Sequence, residues 1–179
     1  MYHEILEKAR EYEAESIRYL TDMIRIPAFS TKEKELAEYI LQEMKKAGFD
    51  EAFIDPLGNV IGKIGSGKNI IAFDAHIDTV YPGDLSLWDF NPFEPQVKDG
   101  MIWGRGAVDQ EGGMASMLTA ARIIKELNLN SKFSIYFTGT VMEEDCDGLC
   151  WQYIIREDKI VPELVVLTEP TNMNIYRGH

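Results

Sequence analysis

Cysteine is almost missing from this 179-residue chain, which holds only Cys146 and Cys150. That excludes a disulfide framework as the source of its stability. Histidine is nearly as rare: His3, His76 and His179 are the only three. No apolar stretch approaches the roughly 20 residues a transmembrane helix needs. The N-terminus MYHEILEKAREYEAESIRYL spreads its charges evenly and offers no apolar core of a secretory signal. Reduced thiols in a cytoplasmic protein are therefore the expectation. Basic residues are also short, with 18 Lys and Arg against 30 Asp and Glu and a net charge of -12. That balance opposes nucleic acid and anionic membranes as partners. Repeats, low-complexity runs and Pro/Gly/Ser linkers are lacking too, so a single domain is expected.

What is present suffices for a core, with 45% hydrophobic and 27% charged residues. The stripe Ile5, Ala9, Ile17, Leu20 and Ile24 predicts one helix from His3 to Arg25, ended by Pro27. Ser30 and Glu33 form a capping-box pattern that opens a second helix, which Gly48 closes. Phe53 and Val60 to Ile64 read as strands around the turn Asp55-Pro56-Leu57-Gly58-Asn59. Asn69 to Phe73 is a third strand. Asp99-Gly100 signals a hairpin between Gln96–Lys98 and Met101–Trp103. Gly112 to Leu127 reads as a helix, Lys132 to Phe137 as a strand, Gly148 to Glu157 as a short helix and Leu164 to Leu167 as a buried strand. Strands and helices in this rhythm predict an α/β fold with a mainly parallel sheet.

The chemistry gathers just past the predicted strands, the edge where open parallel sheets bind ligands. Asp74-Ala75-His76-Ile77-Asp78 follows one strand, and in extended backbone His76 and Asp78 share a side. An imidazole beside a carboxylate suits a metal ligand and the partner that fixes its tautomer. Asp109 follows Gly104-Arg105-Gly106-Ala107-Val108, ahead of a helix. Glu143 and Glu144 follow the strand SKFSIYF, and Glu169 ends LVVL. Each has an ordinary structural alternative: a strand-end histidine, an acidic helix start, a solvated acidic loop, a turn. Together they supply an imidazole, several carboxylates and a spare base, a mixture that zinc and manganese accept.

The segments AHIDTV, GRGAVDQEGG, VMEEDCDG and TEP resemble, in order and spacing, the motifs of the zinc aminopeptidase-like amidohydrolases. That family includes acetylornithine deacetylase, succinyl-diaminopimelate desuccinylase, the aminoacylases and carboxypeptidase G. VMEEDCDGLCWQYIIRED and TEPTNMNIYRGH look closest to its selenium-metabolism hydrolase branch. The resemblance runs from about residue 15 to residue 179. It implies a mainly parallel twisted sheet with flanking helices, incomplete at the C-terminal side. His76 and Glu169 would bind one metal and Glu144 the other, with Asp109 bridging. Asp78 would orient His76, and Glu143 would be the general base. The implied cofactor is a pair of zinc ions, with cobalt or manganese as substitutes. The implied reaction is hydrolysis of an amide in a small N-acyl amino acid or peptide. A cis peptide between Asp109 and Gln110 is implied as well.

Two departures stand out. The family usually carries lysine where this chain has Glu111, and nothing in the sequence explains the exchange. The family's lid and dimerisation domain, its last histidine ligand and its C-terminal catalytic segment have no counterpart in residues 1–179. The resemblance would place a homodimer contact in that lid. The rival function is a catalytically silent metal-binding or assembly module.

Other motifs fail on context. Gly62 to Asn69 is one residue from a phosphate-binding loop but precedes a strand instead of a helix. Gly104-x-Gly106 lacks the third glycine of a dinucleotide fingerprint. The acidic run from Glu143 to Gly148 mimics a calcium loop, yet Ile154 stands where a bidentate glutamate is needed. Cys146 and Cys150 read as buried thiols rather than a redox pair. Trp88, Trp103 and Trp151 read as core or cleft-wall residues.

Overall fold

The computed structural model describes residues 1–129 and 132–177. In chain order the helices are α1 (Tyr2–Glu11), α2 (Glu13–Ile24), α3 (Lys34–Lys46), α4 (Glu111–Glu126), α5 (Glu143–Cys146) and α6 (Leu149–Arg156). The strands are β1 (Glu51–Ile54), β2 (Val60–Ile64), β3 (Asn69–His76), β4 (Gln96–Lys98), β5 (Met101–Trp103), β6 (Phe133–Thr140) and β7 (Leu164–Leu167). The main sheet has five strands in the order β1-β2-β6-β3-β7. β6, β3 and β7 pair in parallel, whereas β2 is antiparallel to both β1 and β6. Four of the five strands therefore point one way, and the mainly parallel α/β expectation holds.

Side chains alternate across these strands, and the two faces differ. Val60, Ile64, Ala75, Ile135 and Phe137 join the large core under α2, α3 and α4, where Met23, Ile40, Met114 and Leu118 are fully or almost fully buried. The opposite face carries Ile61, packed on Ile154 and Ile160 beside α6. Its remaining interior positions include Asp74, His76, Thr138 and Thr140, all buried. The period of two thus delivers apolar residues to one side and polar ones to the other.

Several elements differ from the sequence expectation. The first helix is broken at Tyr12 into α1 and α2. Tyr12 is buried, its hydroxyl donates to Glu126, and the Arg122 guanidinium lies 4.1 Å from its ring centroid. Anchoring to α4 outweighs helical continuity, because α1 has no buried residue of its own.

Ser30 and Glu33 are not a capping box. α3 starts only at Lys34, and the Ser30 hydroxyl donates instead to Asp78 at 2.6 Å. The end of α3 follows expectation, with Gly48 at φ 82° and the Phe49 amide bonded back to the Met44 carbonyl. The β4–β5 hairpin has the expected bounds, with Asp99 and Gly100 both at positive φ as a tight primed turn requires. β3 and β6 each run three residues further than expected, to His76 and Thr140. Ser131 of the SKFSIYF segment, together with Gly178 and His179, lies outside the described residues.

Candidate metal centre

The C-terminal ends of β6, β3 and β7 lie side by side, and the candidate residues come from the turns that leave them. His76 is the last residue of β3, 2% exposed. Two residues earlier on the same face, the Asp74 carboxylate accepts from the hydroxyls of Thr138 and Thr140 on β6. The Asp109 loop reaches the edge through Gly106 at φ 81°. An added Cβ there would stand 2.6 Å from the Glu111 carboxyl carbon, so the Glu111 side chain would have to shift. The Asp109–Gln110 peptide is cis.

At the start of α4, a Cβ on Gly113 would stand 2.1 Å from the Thr168 hydroxyl, so glycine permits this close approach to the end of β7. The same hydroxyl has two acceptors within reach of its one proton, the Asp74 carbonyl at 3.0 Å and Gln110 Oε1 at 2.9 Å. The Gln110 amide in turn donates to Glu169.

These contacts gather the sequence candidates around one imidazole. His76 Nε2 lies 2.8 Å from Asp109 Oδ1, 3.8 Å from Glu143 Oε2 and 3.9 Å from Glu169 Oε1. His76, Asp109 and Glu144 each offer a ligand atom, all within 4.8 Å of one another. Ligands about 2.0 Å from a tetrahedral ion stand about 3.3 Å apart, so small side-chain adjustments would admit a cation. The donor set fits a divalent metal.

Asp78 is arranged differently from a simple carboxylate–imidazole pair. His76 Nδ1 makes its 2.8 Å contact with the Asp78 main-chain carbonyl, and the carboxylate lies 3.6 Å away. That carboxylate accepts from Ser30 and from the backbone amides of Glu143 and Glu144.

The electrostatics are those of carboxylates crowded around a single positive group. Burial alone would lower the His76 imidazole, but hydrogen bonding with Asp78 and Asp109 and the charges of Asp78 and Glu143 outweigh it and push it up to about 10. Glu143 is raised, first by burial and then by Glu169, Asp147 and Glu144, with His76 acting against them. Glu144 is raised by burial and by Asp109. Burial would raise Asp78, yet His76, Ser30 and the Glu143 amide hold it below the ordinary carboxylate range. Glu111 is driven well upward by burial, and its Oε2 is buried without a hydrogen-bond partner. A protonated imidazole among carboxylates is charge balance by proton, and a bound cation would supply the same balance more strongly.

Supporting residues escaped the sequence reading. Ser30 and Glu33 carried the signature of a helix start and Asn59 that of a turn, while Gln110 and Thr168 lay within the segments GRGAVDQEGG and TEP without a role of their own. The decoys fall out structurally. The Gly62–Asn69 segment is the end of β2, a connection at residues 65–68 and the first residue of β3. Cys150 is buried as expected, but Cys146, at the end of α5, is exposed, against the expectation of two buried thiols. Trp88 donates to the Pro82 carbonyl and lies under Arg105, Trp103 is half exposed on β5, and Trp151 flanks Ile61 and Ile154. Among the described residues, no helix is long and apolar enough to cross a membrane.

Protein YgeY of Escherichia coli (strain K12) is 55% identical over 174 residues, covering 97% of this chain and 43% of its own length. A probable succinyl-diaminopimelate desuccinylase of Staphylococcus epidermidis is 30% identical over 175 residues, covering 93% of this chain and 42% of its own. This chain thus spans about two fifths of the length of these relatives. Human carnosine dipeptidase 1 superposes with a TM-score of 0.76 at 16% identity, over 92% of this chain and 40% of that one. The metallo-carboxypeptidase Sso-CP2 of Sulfolobus solfataricus gives 0.75 at 21% identity, over 86% and 37%. Residues 72–177, which hold every candidate ligand, match the profile of peptidase family M20/M25/M40. The chain belongs to that family.

Proposed function

We propose that this chain carries most of the active site of a metal-dependent hydrolase that cleaves an amide bond in a small N-acyl amino acid or peptide. The convergence of Asp109, Glu143, Glu144 and Glu169 on the His76 imidazole carries this reading. His76 and Glu169 would hold one ion, Glu144 the other, and Asp109 would bridge them. Zinc suits this nitrogen and oxygen set, and cobalt or manganese could replace it. Divalent ions bound there would supply Lewis acidity toward a water and toward the substrate carbonyl.

The residues of the chain do the rest. Glu143 stands beside the ligands and is itself raised, as suits a general base working near neutral pH. It takes a proton from the attacking water as the carbon–oxygen bond forms. It then delivers that proton to the amide nitrogen as the carbon–nitrogen bond breaks. The His76 Nδ1 contact with the Asp78 carbonyl turns Nε2 toward the carboxylates. Asp78 holds the backbone of Glu143 and Glu144 in place.

In this reading a further histidine ligand and the groups that select substrate come from outside residues 1–179, in the length of the relatives that this chain does not span. A lid of that kind would also carry the contact of a homodimer.

The test is Glu143→Gln in the full-length protein, with zinc titrated and hydrolysis of N-acyl amino acids and dipeptides followed. Turnover should fall at least about 1,000-fold, in the range expected for loss of a general base. Zinc binding should survive. A wild-type protein that binds zinc and hydrolyses none of these substrates points instead to the silent metal-binding module. One in which Glu143→Gln keeps full turnover removes Glu143 from the chemistry.

A further inference from the structure

The segment that follows β6 is held in an unusual way. Four consecutive backbone amides, those of Val141, Met142, Glu143 and Glu144, each donate to a side-chain oxygen. Val141 donates to Asn59 Oδ1 at 3.1 Å and Met142 to Glu33 Oε1 at 2.9 Å. Glu143 donates to Asp78 Oδ1 at 3.0 Å and Glu144 to Asp78 Oδ2 at 3.1 Å. The three acceptors come from three separate parts of the chain. Asn59 is itself clamped, because its amide donates to Asp55 Oδ2 at 2.7 Å.

Packing alone does not fix this segment. Met142 has a left-handed backbone, φ 59° and ψ 28°, which a side-chain-bearing residue adopts only where its surroundings impose it. It borders a recess of about 350 Å³ lined in part by Thr31, Ala37, Leu57 and Gly58, so contact on that side is incomplete. Met142 is also the hinge that sets where Glu143 and Glu144 point, since α5 begins immediately after it.

We propose that Glu33, together with Asn59, is a positioning residue of the metal centre: its side-chain oxygen locks the left-handed turn at Met142 and so aims the Glu143 and Glu144 carboxylates at His76. Glu33 and Asn59 touch neither metal nor substrate. They act through the backbone, one step further out than Asp78. The inference rests on the metal-centre reading above and extends it to residues outside the matched span of 72–177.

The role requires an acceptor oxygen at the right reach, not a negative charge. One atom, Glu33 Oε1, accepts from both Met142 and Thr31, so the carbonyl oxygen of a glutamine could replace it. A shorter aspartate keeps the charge and loses the reach. The experiment is zinc affinity of the full-length protein, read by competition with a chromophoric chelator, for Glu33→Gln, Glu33→Asp and Glu33→Ala. Glutamine should bind zinc within about threefold of wild type. Aspartate and alanine should bind it about 10–100-fold more weakly, the usual cost of losing a group behind a ligand.

Should Glu33→Ala fail to fold, the ranking of glutamine against aspartate still decides. Tighter binding by the aspartate variant, or equal affinity in all folded variants, overturns the proposal and leaves the metal centre standing. A wild-type protein that binds no zinc overturns both.

Discussion

The two faces of the central sheet are built from the same five strands and do opposite things. Toward α2, α3 and α4 the strands present Val60, Ile64, Ala75, Ile135 and Phe137, an apolar layer with the largest buried side chains of the chain. Toward α6 they present Ile61 over a cluster of only three buried residues, and then Asp74, His76, Thr138 and Thr140. Burying polar groups is costly unless they bond to one another, and here they do. One face supplies cohesion through area removed from water. The other trades cohesion for an imidazole held among carboxylates at the sheet edge.

The largest effect should come from breaking the cohesive face. Phe137 is 1% exposed and stacks with Phe73 while its edge meets Phe49. Phe137→Ala should destabilise the fold by about 3–5 kcal/mol, the usual cost of emptying such a site. Thermal unfolding of the full-length protein would show this as a large drop in Tm. Zinc affinity of the fraction that folds should change little, since Phe137 points away from His76. A matching loss of zinc affinity would show that the faces are not separable.

The converse change is His76→Ala. Zinc affinity should fall at least about 100-fold, or about 2.8 kcal/mol at 1.4 kcal/mol per decade. The rise in Tm that zinc confers on the wild type should vanish with it. Zinc titration followed by thermal unfolding reads both. An undiminished zinc-dependent rise in Tm would place the cation elsewhere.

The contrast between the faces also explains what could be read in advance. Elements governed by local rules were legible: the β4–β5 hairpin from Asp99-Gly100, the end of α3 from Gly48, and β7 as a strand from its apolar run, although Leu164, Val166 and Leu167 are exposed and not buried as that run predicts. α4 was placed within one residue. Elements governed by distant contacts were not. Nothing near Tyr12 in sequence announces that α4 will capture it and break the first helix. The left-handed Met142 gives no signal either.

At the site, the convergence of His76, Asp109, Glu143, Glu144 and Glu169 could be expected from the sequence, because carboxylates and an imidazole at strand ends have few other uses in combination. Their supports were illegible for a physical reason. A serine followed three residues later by a glutamate serves a helix N-terminus as well as it serves a distant loop, and only tertiary contact decides between the two. The cis peptide at Asp109–Gln110 came from the family resemblance, not from any local residue preference.

The smallest predicted effect lies at the rim of the α6 face and carries a definite sign. Asp158 follows α6 and is pushed up from an ordinary 3.8 to about 6, first by burial and then by the neighbouring Asp55 carboxylate. Asp55 accepts from the amides of Gly58 and Asn59 and from the Asn59 side chain. A carboxyl whose folded value is raised binds more protons in the native state than in the unfolded one between those two values. Its favourable contribution is therefore complete below about pH 4 and lost as pH rises through about 6.

At pH 7.5 the pair is a repulsion that the fold tolerates. Asp158→Asn removes that charge and gives Asp55 an amide donor in its place. The variant should raise Tm at pH 7.5 by a few degrees and change it much less at pH 4.5, with zinc affinity unaltered. An equal shift at both pH values would mean that the substitution acts through packing instead of charge. A lowered Tm at pH 7.5 would mean that the carboxylate is a favourable partner in the fold.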